Sequence, residues 1–85
     1  MDAEAWNAKV REVNVAVQRA ARMAALHADL VRLAMKAEEL EMPLVADQLQ
    51  RSVTQTFRLA ALAQQYVVGL RAALEAARAA GEEPS

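Results

Sequence analysis

Cysteine is absent from this 85-residue chain, which excludes a disulfide framework and any thiolate metal site. Aromatic residues amount to one Trp, one Tyr and one Phe, and alanine supplies much of the apolar content, so little area is buried per residue. With only two glycines there is no Gly-rich phosphate loop. Charge of either sign is not in excess: the net charge of −1 provides no basic stripe for nucleic acid. Long apolar runs are missing too. The longest uncharged stretch, Leu59 to Leu70, is too short to span a bilayer and contains Gln64 and Gln65. Met1-Asp2-Ala3-Glu4 is acidic and no apolar segment follows it, so no signal peptide is expected. A soluble protein is predicted, cytoplasmic if made in a bacterium.

What is present points to helices. A chain that is 55% hydrophobic is too apolar for intrinsic disorder, and its length fits one domain over 1–85, near the lower limit for a self-sufficient core. Ala, Leu, Glu, Arg, Gln and Lys dominate, all good helix formers. Asp2 is placed to cap a first helix, with Glu4 in its first turn. That helix is expected over about residues 3–41, until Met42-Pro43 breaks it. Pro43 suits the first position of a second helix over about 43–80, with Asp47 early in it. Gly81 then serves as a left-handed terminator of that helix, and Pro84 blocks continuation in the tail, 81–85. Each helix is roughly 55–60 Å long. A minimal turn makes them antiparallel, pairing positions whose numbers sum to about 85. His27 is then level with roughly Arg58. The predicted fold class is all-α: a two-helix hairpin that assembles into a symmetric multi-helix bundle.

The apolar faces give the reason for assembly. At about 100° per residue, Trp6, Val10, Val13, Val17, Ala20, Ala24, His27, Val31 and Ala34 form one stripe. Ala16, Met23, Leu30 and Ala37 continue it, and Leu26, Leu33 and Leu40 widen it to an arc of roughly 200°, twice that of an ordinary surface helix. On the second helix the main stripe is Leu49, Val53, Thr56, Ala60, Ala63, Val67, Leu70 and Leu74. Its other side is solvated near the turn, at Arg51, Gln55 and Arg58, then turns apolar at Leu62, Tyr66, Gly69, Ala73 and Ala76. A hairpin offers that second stripe nothing to pack against. A mid-helix glycine costs about 1 kcal/mol relative to alanine, so Gly69 reads as a place of close backbone approach; the plainer reading is a tolerated surface glycine. Leu62, Tyr66, Gly69, Ala73 and Ala76 are therefore the expected contact between subunits.

His27 is the one residue that invites chemistry. It lies near the middle of the wide arc, among Ala20, Ala24 and Ala34, with Thr56 on the facing stripe and within a turn of its level. The plain reading is a core histidine satisfied by the Thr56 hydroxyl. The sharper one is a ligand to a haem iron or a zinc ion, shared by two copies of His27 across a symmetry axis, with Thr56 orienting the ring. Other sites fall away. Di-iron bundles need a glutamate three residues before the histidine, where Ala24 stands. The serines, Ser52 and Ser85, form no relay with His27. No catalytic residues are expected, and Trp6, Tyr66, Met23 and Met35 read as packing residues.

The segment Leu70-Arg71-Ala72-Ala73-Leu74-Glu75-Ala76-Ala77-Arg78-Ala79-Ala80-Gly81-Glu82-Glu83-Pro84-Ser85 resembles the C-terminal helix and tail of computationally designed helical bundles. Met1-Asp2-Ala3-Glu4-Ala5-Trp6 and Glu39-Leu40-Glu41-Met42-Pro43 are similar in style. The likeness covers the whole chain in character: long idealised helices, a minimal loop and Ala-rich interfaces. It lies in composition rather than in a motif, and it carries over no site residues. It implies a cyclic homo-oligomer, whether dimer, trimer or higher. Two other functions stay open at this point: a bundle binding haem or zinc through His27, and a bacterial adaptor whose spare apolar faces dock helices of another protein.

Overall fold

The computed structural model describes residues 1–84. Two helices, α1 over Ala3–Glu39 and α2 over Pro43–Ala79, run antiparallel and pack along their length into a rod of 61 × 16 × 12 Å.

Local chemistry sets the ends. Asp2 is extended, and its carboxylate accepts the Ala5 N–H at 2.7 Å, satisfying one of the free donors at the start of α1. At the other end α1 stops at Glu39 rather than near Glu41. Pro43 holds Met42 out of the helical region, at φ −112° and ψ 74°, and the chain reverses through Glu41 at φ 58°. The Met42 N–H then donates to the Ala37 carbonyl at 2.9 Å and the Glu41 N–H to that of Glu38 at 3.0 Å, a Schellman pair. Holding a non-glycine residue in that left-handed conformation costs about 1 kcal/mol. Pro43 takes the first position of α2, as expected. Asp47 does not serve the first turn, which contains no acidic residue. The end of α2 repeats the Schellman pattern with glycine: Gly81, at φ 79°, donates to Arg78, and Glu82 donates to Ala77, both at 3.0 Å.

Between the helices lies a seam with alternating three- and four-residue steps. On α2 it reads Ala46, Leu49, Val53, Thr56, Ala60, Ala63, Val67, Leu70, Leu74 and Ala77, all buried or half-buried. On α1 its midline is Trp6, Val13, Ala20, His27 and Ala34. A repeat of seven is the spacing that keeps a seam facing its partner helix when two helices wind about each other with a shallow left-handed twist. The expected stripes are thus largely the seam, but Ala24, Leu26, Leu33 and Leu40 lie outside it, exposed. The core is thin. Ala16, Ala20, Ala34, Ala37 and Ala46 supply most of its buried positions, and Val67 is the bulkiest side chain removed completely from water. Burying a Leu-sized side chain is worth about 1.5–3 kcal/mol and an alanine far less, so two helices stabilise each other only modestly across this contact.

Candidate functional site

Counting in sevens from fixed contacts sorts the rest of the surface into two broad faces. Tyr66 Oη donates to a Glu12 carboxylate oxygen at 3.2 Å, and beside that bond Ala63 and Tyr66 of α2 line an open groove with Ala16 and Arg19 of α1. Glu12, Arg19 and Tyr66 therefore share one face. Seven-residue steps from Glu12 and Arg19 reach Leu26, Leu33 and Leu40; the same steps along α2 place Val45, Leu59 and Ala73 in line with Tyr66. A neighbouring row on α2 is Leu62, Gly69 and Ala76. Leu33 is 52% exposed, Leu40 60%, Leu62 60% and Tyr66 56%. The opposite face carries Asn7, Asn14, Gln50, Gln64, Arg71 and Arg78, with Phe57, Met35 and Val68 as its large exposed apolar side chains.

The apolar face is not uniform along its length. In the half nearest the turn its leucines are on α1, while α2 presents Gln48, Ser52 and Gln55 between Val45 and Leu59. In the other half α1 presents Glu12 and Arg19, and the apolar row passes to α2 at Leu62, Tyr66, Gly69, Ala73 and Ala76. The apolar stripe thus runs diagonally across the hairpin. Gly69 lies on it in the open: apart from its chain neighbours and the backbone of its own helical turns, no atom of the described residues comes within 4 Å of where its Cβ would stand. The close approach expected from the sequence is not made by its own chain.

His27 and Thr56 do come together. His27 Nδ1 and Thr56 Oγ1 are 3.1 Å apart, so His27 is level with Thr56 rather than Arg58. Thr56 is buried and His27 half-buried. The hydroxyl donates to the carbonyls of Ser52 at 2.9 Å and Val53 at 3.1 Å. Its single proton is engaged there, and its oxygen is left to accept. With Nδ1 as the donor to that oxygen, Nε2 would be the ring nitrogen left with a lone pair. The Phe57 ring lies beside it, with centroids 5.7 Å apart and planes tilted by 55°. Among the described residues, no three His, Asp or Glu side chains cluster to hold a metal ion.

Two features escaped the sequence reading. Leu26, Leu33 and Leu40 are legible as apolar and as a widening of the α1 arc, but not as a row apart from the seam; their strict seven-residue spacing with Glu12 and Arg19 is the signal for it. Glu12 as the partner of Tyr66 had no such signal, because the reach of a rim hydroxyl depends on rotamers. Among the described residues no helix is long and apolar enough to cross a membrane. No protein-family model matches the chain, and neither does any curated protein or solved structure.

Proposed function

We propose that this chain is a structural protein whose role is self-assembly: hairpins associate through the diagonal apolar face into a homo-oligomeric helical bundle, without catalysis. One observation carries the reading. Leu26, Leu33, Leu40, Leu59, Leu62 and Tyr66 stand together on one face, each about half or more exposed, while the seam within the hairpin is built chiefly of alanine and valine. Monomeric proteins rarely leave so continuous a patch open to water. Covering the exposed half of each large side chain contributes about 1 kcal/mol apiece, a gain the thin seam leaves available. Light scattering across a concentration series tests this: a single oligomer stable to dilution is expected. A folded monomer persisting at high concentration, with Leu62 and Tyr66 accessible to solvent, overturns it.

A second reading is favoured by the His27–Thr56 hydrogen bond. A histidine that donates from one nitrogen to a fixed acceptor presents the other as a ligand, and with Nδ1 held by Thr56 it is Nε2 of His27 that would ligate a haem iron or a zinc ion. Added hemin is expected to give a shifted Soret band that disappears in His27→Ala; an unshifted band in the parent chain rejects haem ligation.

A further inference from the structure

We infer that two copies of the chain form a two-fold dimer with their turns at opposite ends, α1 packed on α1 and α2 on α2, and with Glu12 of each copy paired to Arg19 of the other; this rests on the self-association proposed above. α2 carries a second seam. Leu59, Leu62, Tyr66, Gly69, Ala73 and Ala76 follow one another at alternating steps of three and four, the spacing of a helix–helix contact. Each stands one position before a residue of the hairpin seam, so the second seam is turned by about 100° from the first. A helix at one corner of a four-helix bundle meets its two neighbours at close to a right angle. α2 thus has one seam for α1 and another for a helix of a second molecule.

A two-fold axis that lies along the face and across the helices turns the second hairpin end for end and sets each helix antiparallel on its own copy. With the axis midway between Tyr66 and Gly69, Leu59 meets the partner's Ala76, Leu62 the partner's Ala73 and Tyr66 the partner's Gly69. Every layer then sets a large side chain against a small residue, which suits close packing. Charge on α1 points to the same axis independently. His27 and Thr56 are level, so positions of the two helices at one level sum to about 83. The level midway between Tyr66 and Gly69 is therefore also midway between Glu12 and Arg19, and the axis brings Glu12 opposite the partner's Arg19. Among the described residues neither of the two has an ion-pair partner in its own chain, and Glu12 accepts a hydrogen bond from Tyr66 alone. Farther out Leu26 meets the partner's Ala5, while Leu33 and Leu40 project past the overlap. An axis parallel to the helices, with both turns at one end, would instead lay α1 over the partner's α2 level for level. Leu33 would then face the Gln48–Ser52 stretch and Arg19 would fall between Leu62 and Tyr66, setting leucine against amides and a charge against apolar groups. The end-for-end contact is its own complement and closes at two copies.

The absence of cysteine from the parent chain makes the test clean. A spin label on Arg51→Cys, an exposed position on the solvated side of α2, reports the relative direction of the hairpins. Opposed turns place the two labels at least about 50 Å apart, at 1.5 Å per residue from the axis, and turns at one end place them below about 35 Å, the width of a bundle with two tethers. The long distance is expected. A short distance in an associated species overturns the arrangement while leaving self-association standing; a monomer without dipolar coupling overturns self-association itself. Charge reversal provides the second arm. Glu12→Arg and Arg19→Glu each set like charges against one another across the axis, and each is expected to raise the dissociation constant about ten-fold. An equimolar mixture of the two variants regains both attractive pairs between chains and is expected to associate within about three-fold of the parent. Single variants that dimerise as the parent does, or a mixture no tighter than either variant alone, overturn the Glu12–Arg19 pairing and the arrangement with it.

Discussion

The two broad faces of the hairpin are built from the same residue alphabet and the same seven-residue spacing, yet they do opposite things. On one, the steps from Glu12 pass through Arg19 to Leu26, Leu33 and Leu40 and meet a second apolar row on α2. On the other, Asn7, Asn14, Gln50, Gln64, Arg71 and Arg78 hold the surface in water, and Phe57, Met35 and Val68 are the large apolar side chains that interrupt it. Large exposed side chains occur on both. What distinguishes the faces is continuity: a run of neighbouring apolar groups removes water as one patch, whereas scattered ones need no explanation.

The comparison breaks most directly with paired charges. Leu26→Lys with Leu62→Lys is expected to weaken association by about 100-fold, roughly 3 kcal/mol, as read by sedimentation equilibrium; unchanged association would show that the diagonal face is not the contact. Val67→Ala acts on the seam between the faces. Losing two buried carbons from the most enclosed side chain should lower hairpin stability by about 2 kcal/mol in chemical denaturation, and it separates folding from assembly. Glu41→Gly touches neither face. Relief of the left-handed glutamate is expected to raise stability by about 1 kcal/mol at unchanged oligomer size; a loss of stability would mean that the Glu41 side chain contributes more than its backbone costs. Phe57→Lys completes the set on the polar face, with a change within about 0.5 kcal/mol and no shift in sedimentation. A large loss of association there would erase the distinction between the faces.

Most of the fold was legible from local signals. Asp2, Pro43 and Gly81 each announce a helix end through a property of one residue, and the structure uses all three as expected. The seam followed from periodicity. The end of α1 was less legible, because Glu41 takes a conformation for which glycine would have been the cue. The pairing of His27 with Thr56 was visible because hairpin register brings seam residues whose numbers sum to about 85 within a turn of one another. The apolar face was only half visible. Tyr66, Gly69 and Ala73 stood out against the solvated start of α2, whereas the α1 leucines merged with the seam in a wheel drawn at 100° per residue. Which side of the hairpin each row occupies depends on how the two helices are rotated against each other, and that is fixed by packing, not by either helix alone.

The turn also governs the order in which contacts form. Straightening the chain through residues 40–43 into one continuous helix would break the two Schellman hydrogen bonds and drive the Pro43 ring against the carbonyl of Glu39, a cost of about 3 kcal/mol. Trading helices between chains by domain swapping requires that extended form. The corner therefore favours each molecule zipping its own seam first, so that partners meet as finished hairpins and the exchange of arms that leads to open-ended chains of molecules is disfavoured at its first step.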